Sequence, residues 1–138
     1  MDVPLRRQED NRWRDMTSIP AVTSIVRDDA TTALHASLRG LTQRQKAIAE
    51  NVANIETPGY QAKTVSFEDS LASAIEAGEP ASFSPTESLS TAATRMNGNN
   101  VNLDIEITSQ VETNMREQLV IRALNAKYAM IRRVLEVA

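Results

Sequence analysis

Residues 34–60 read LHASLRGLTQRQKAIAENVANIETPGY, and their pattern decides the fold. The apolar residues Leu34, Leu38, Leu41, Ile48, Val52 and Ile55 recur at the intervals of a heptad seam. This spacing predicts an amphipathic helix from about Ser24 to Asn54, roughly 45 Å long. One seam position is occupied by Gln45, which can fix register at a cost in stability. Gly40 in the interior weakens a helix by about 1 kcal/mol relative to Ala. Asp28 and Asp29 suit the positive end of the helix dipole. Pro58 disfavours helical geometry at Thr57, and with Gly59 it forms the middle pair of an expected type II turn from Thr57 to Tyr60. Asn51 and Asn54 are placed to satisfy backbone groups left open at the helix end, and Tyr60 offers a rigid ring with a hydroxyl.

Downstream of the turn, Val65 and Phe67 alternate with polar neighbours. Phe67, Leu71, Ala74 and Ile75 then take helical spacing up to Gly78, so a short extended piece and a short helix are expected. Residues 78–100 collect Gly78, Pro80, Pro85 and Gly98 among Ser, Thr and Asn, with little periodicity. They read as an irregular, flexible connector. The alternation Val101, Leu103, Ile105, Ile107 fits a brief strand, but Asn102 followed by Asp104 and Glu106 reads as a capped helix start and is preferred. Val111, Met115, Leu119, Ile121, Leu124, Tyr128, Ile131 and Leu135 then keep an apolar face to the end without Gly or Pro.

Upstream, residues 1–23 mix Arg6, Arg7, Arg12 and Arg14 with Glu9, Asp10 and Asp15 and read as a flexible extension, within which Met16 is an alternative start. The resulting division is an extension (1–23), a first helix and turn (24–60), a largely irregular centre (61–100) and a last helix (101–138). The expected class is all-α, with the two long helices pairing as a coiled-coil-like bundle. Where their stripes cover each other only in part, the remainder should seek neighbouring copies.

Composition narrows the function. The chain has 138 residues, no cysteine, 4% aromatic residues and a formal net charge of −3. Thiol chemistry and disulfides are excluded, and the dispersed charge marks no nucleic-acid face. No stretch reaches the roughly 20 apolar residues of a membrane span, and the N-terminus lacks the apolar core of a cleaved signal. His35 is a lone histidine without ligand-like neighbours, and the serines and threonines of residues 82–94 have no base in any recognisable setting. Asp104 and Glu106 read as helix-terminal charges. No catalytic residue, metal site or cofactor is assigned, and an enzyme is the weakest reading.

Two strings carry a resemblance. Asn51, Ala53, Asn54, Thr57, Pro58, Gly59 and Tyr60 form an NxANxxTPGY pattern that resembles the signature of the bacterial flagellar rod and hook axial proteins. Gly98, Asn99, Val101, Asp104 and Glu106, in the string GNNVNLDIE, are similar to the region that opens the last helix of proximal rod members, although Asn102 replaces an Asp usual there. The residues Gln61–Lys63, Phe67 and Asn125–Arg132 point the same way. The resemblance spans about residues 24–138 and implies a structural subunit at the base of the basal-body rod. Such a subunit would leave the cell through the flagellar type III export apparatus and polymerise outside the cytoplasmic membrane, in the periplasm of a two-membrane envelope. Its terminal helices would build a hollow shaft that transmits torque and passes later subunits. The implied partners are copies of itself, other rod subunits, the rod-to-ring adaptor FliE and the membrane ring. Another rod protein, or a helical adaptor binding through the same stripe, is the alternative.

Overall fold

The computed structural model describes residues 28–137; the extension expected at residues 1–23 and the expected start of the first helix at residues 24–27 lie outside the described residues. Helix α1 runs Asp29–Ala53 and opens on Asp28, whose backbone is extended and whose side chain accepts from the Thr31 amide at 2.8 Å. The described helix thus begins at Asp29, because Asp28 takes the cap. Strand β1 (Lys63–Ser66) follows the turn, then helix α2 (Glu68–Glu76), a 3-10 turn at Pro80–Ser82, strand β2 (Thr86–Leu89) and helix α3 (Leu103–Val137). The described residues are mostly helical, with a long helix at each end of them. Helix α3 starts where Asn102 caps it, its side chain accepting from the Asp104 amide at 3.0 Å.

The centre differs from the irregular connector expected there. β1 and β2 pair antiparallel, with Lys63 opposite Leu89 and Ser66 opposite Thr86. Phe83, inside the supposed connector, is buried edge-on against Phe67 with ring centroids 6.1 Å apart. β2 has no apolar alternation and exposes all four residues, so its sequence carried no strand signal. It is held by backbone pairing to β1, a force that leaves no side-chain pattern.

The core forms where this centre meets α1. Ala36, Leu41 and Ala47 pack with Val65, Phe67, Leu71 and Phe83. Of these α1 residues Leu41 belongs to the heptad seam, and the small Ala36 and Ala47 lie outside it. At Gly40 a Cβ would stand 2.6 Å from the Phe67 ring, so the glycine is a notch for that ring as well as a weak point of the helix. Arg44, one turn on, covers the same ring at 4.7 Å and donates to the Val65 carbonyl at 3.0 Å.

The two long helices run antiparallel. Asn51 meets Glu106, Gln45 donates to Asn114 and Glu117, His35 meets the Tyr128 hydroxyl at 3.2 Å, and Lys127 pairs with Asp28. Gln45 therefore ties α1 to α3 from within the seam. The seam itself is covered unevenly. Leu41, Ile48 and Leu124 are buried and Leu34, Leu38, Ile55 and Ile131 are half-buried, whereas Val52, Val111, Met115, Leu119, Ile121, Tyr128 and Leu135 are exposed. One helix can shield only one side of α3, and the small central unit lies against α1.

Candidate functional site

The two sequence strings meet at the end of the helix pair where α1 stops and α3 begins. Asn51, in the last turn of α1, is 1% exposed and uses its whole amide. Its Nδ2 donates to the Lys63 carbonyl at 2.8 Å and to Glu106 Oε1 at 3.0 Å. Its Oδ1 accepts from the Lys63 amide at 2.8 Å and from the Tyr60 hydroxyl at 3.1 Å. One side chain thus joins the helix end, the turn, β1 and α3.

The turn between them has the expected form. Tyr60 N donates to the Thr57 carbonyl at 3.3 Å, and Gly59 has φ +73°, as the third position of a type II turn requires. Asn54 holds the helix end, its Nδ2 donating to the Glu50 carbonyl at 2.8 Å. Pro58 forms the corner with Gly59, and Ala53 is the last residue of α1.

The second string closes over that turn. Asn99 is fully buried, and its Nδ2 donates to the Asn54 and Thr57 carbonyls, each at 2.9 Å. Its Oδ1 accepts from the Val101 amide at 2.8 Å. Asn100 does similar work for β1, accepting from the Ala62 amide at 2.6 Å and donating to the Ser90 carbonyl at 3.0 Å. Gly59 N reaches the Asn97 carbonyl at 2.8 Å, and a Cβ on Gly98, at φ +80°, would stand 3.3 Å from Gly59 Cα. Two glycines in left-handed geometry therefore let two backbones touch. Val101 is buried beside them.

Glu106 stands at the start of α3, as its reading as a helix-terminal charge expects, and does more there. It lies in the first turn of α3, but it is buried and spends an oxygen on Asn51. Burial pushes its carboxyl above the usual carboxylate range, against the opposing effect of the Asn51 hydrogen bond. Burial likewise raises the Tyr60 hydroxyl. Asp104 stays exposed. Sequence reasoning missed Asn100 and Lys63 as members of the junction. Asn100 stood within the second string, and its asparagine type was the one available signal.

Beside the junction lies an open apolar groove of about 490 Å³, lined by Ile48, Val52, Leu103, Glu106, Ile107 and Val111 among others. The junction holds no nucleophile paired with a base. What it does is lock a helix end, a turn and a helix start into one rigid corner next to exposed apolar surface.

Known proteins are similar to this chain in sequence. A family profile described as flagella basal body rod protein matches residues 32–61, the stretch from α1 through the turn. The flagellar basal body rod protein FlgB of Bacillus subtilis is 36% identical over 105 residues, covering 67% of this chain and 81% of that protein. The FlgB of Escherichia coli is 26% identical over 115 residues, covering 68% of this chain and 83% of that protein. That of Yersinia enterocolitica is 25% identical over a similar span, covering 84% of its length. A matching profile across the helix and turn, together with relatives matched over most of their length, leads to one conclusion: the chain belongs to the FlgB family of flagellar basal body rod proteins.

Proposed function

We propose that this structural subunit of the flagellar basal body polymerises through its terminal helices in the proximal part of the rod, with the motif junction as the rigid corner that sets its contacts. The observation that carries the reading is the exposed apolar surface of α3. Leu103, Ile105, Ile107, Val111, Met115, Leu119 and Ile121 all stand open to solvent on a helix that α1 covers on one side only. Surface of that extent on a structural rod protein is matched by neighbouring subunits.

Within the basal body its neighbours are other rod components. The finer assignments rest on family likeness. They are contact with FliE and the membrane ring, passage through the type III export apparatus, and a final place outside the cytoplasmic membrane, in the periplasm where there are two membranes. The residues of both strings act here as positioning groups. The test is genetic: removing this chain from the source bacterium should abolish swimming and filament formation, and supplying it in trans should restore both. Normal swimming after its removal would overturn the reading.

A further inference from the structure

Of all the asparagines in the chain, Asn97 alone is followed by a glycine. Such a pair is reactive, because a residue without a side chain lets its backbone nitrogen turn back onto the asparagine side-chain carbonyl. Asn97 lies in the loop that closes over the Pro58-Gly59 turn, and it is exposed. The fold nevertheless holds both reacting groups. The Gly98 N–H donates to the Arg95 carbonyl at 2.8 Å, and the Arg95 N–H donates to the Asn99 carbonyl at 2.7 Å. Asn97 Oδ1 accepts from the Asn99 amide at 3.1 Å, which fixes the side chain. The Asn97 main-chain carbonyl accepts from the Gly59 N–H at 2.8 Å, and the Arg95 guanidinium ties the loop to the Val101 carbonyl at 2.7 Å. A Cβ on Gly98 would stand 3.3 Å from Gly59 Cα, so the peptide between Asn97 and Gly98 has little room to rotate. Water reaches Asn97 freely; the restraint is geometric.

We propose that Asn97–Gly98 is a self-modification site, reactive in the chain before it folds and held off once the junction closes. In the unfolded chain the Gly98 amide gives its proton to solvent base and its nitrogen bonds to Asn97 Cγ. The Cγ–Nδ2 bond breaks, and Nδ2 takes a proton from water and leaves as ammonia. The resulting succinimide consumes one water. Opening at Cγ gives aspartate, and opening at the Asn97 main-chain carbonyl carbon gives isoaspartate. Isoaspartate lengthens the backbone by one carbon and turns the carbonyl that received the Gly59 N–H into a free carboxylate. The loop then no longer fits the turn, and the bonds from Gly59 and Asn99 lose their register. A chain that reacts before closing is thus marked chemically and kept from forming the corner. This site is independent of the rod-subunit reading.

The test uses the full-length chain at mildly alkaline pH, once folded and once in guanidinium chloride. Peptides containing residue 97 are followed by mass spectrometry for the acid in place of the amide, with isoaspartate separated from aspartate by chromatography. Conversion should be at least about tenfold faster in denaturant, since in the folded protein it must wait for local opening. Isoaspartate should be the larger product. Chain converted in denaturant and then returned to native buffer should melt at a lower temperature than chain that has not reacted. Asn97→Asp, which adds the charge without lengthening the backbone, should melt close to the wild type. Equal rates in the two conditions would overturn the proposal, as would the absence of conversion in denaturant. Converted chain that refolds with an unchanged melting temperature would overturn it too, because the junction would then accept the longer backbone.

Discussion

Asn51 decides the corner at the scale of single residues. It satisfies four hydrogen-bonding groups on three other segments, at 1% exposure. Truncation to alanine leaves the Lys63 amide and carbonyl, the Tyr60 hydroxyl and the Glu106 carboxyl short of partners, and each buried orphan costs about 1–3 kcal/mol. Asn51→Ala should therefore lower unfolding stability by about 3 kcal/mol or more in urea titration; a loss below about 1 kcal/mol would show that the corner does not depend on it. Glu68 sets an acid limit. Burial alone would raise its carboxyl, but Arg44 and the Glu68 and Phe67 amides outweigh burial and hold it at about 2. Asp28, bonded by Lys127 and Thr31, is also lowered to about 2. A carboxylate with a depressed folded pKa stabilises above its unfolded value and loses that contribution as pH falls toward the folded one. The melting temperature should thus drop between pH of about 4.5 and 2, and Glu68→Gln should start lower at pH 7 with a shallower drop. An unchanged slope in that variant would remove Glu68 from the account. The asparagines and the Pro-Gly pair were legible because each residue type has few uses at a helix end. Glu106 was legible as an acid at a helix start, but nothing local shows that Asn51, 55 residues earlier, bonds its buried carboxyl.

Among the elements, both long helices and the short one could be read from periodicity, and the turn from Pro58-Gly59. The β1–β2 pair could not, because Thr86–Leu89 buries no side chain and sheet pairing is made by backbone. The seam was only a partial guide to the core, since Leu41 alone of its residues joins the central unit, and Ala36 and Ala47 of that core lie outside it. Gly40 shows the difference. By helix propensity alone Gly40→Ala should stabilise by about 1 kcal/mol. The 2.6 Å approach to Phe67 predicts the opposite, a net loss of about 1–2 kcal/mol by thermal unfolding. In a Phe67→Ala background the same substitution should turn neutral or stabilising, because the ring that it strikes is gone. A stabilising effect in the wild-type background would contradict the notch.

For the whole molecule, the helix pair is half a structure. The central unit covers one flank of α1, whereas α3 keeps much of its apolar surface in water. A monomer built this way is stabilised by whatever covers that surface, so its melting temperature should rise with protein concentration. Met115→Glu and Leu119→Glu, at sites 62% exposed in the chain itself, should leave the monomer's helix content intact and still abolish swimming when they replace the wild-type residues. Swimming retained by both variants would mean that this stretch of α3 faces no neighbour. The claim that most needs testing is that the chain sits in the rod. Hook–basal bodies purified from the source bacterium, stripped of filament and analysed by quantitative mass spectrometry, measure it directly. The account predicts this chain in fixed proportion to other rod components, retained through washes that remove soluble proteins. Its absence from those particles, with the chain recovered instead in the soluble fraction of swimming cells, would contradict it.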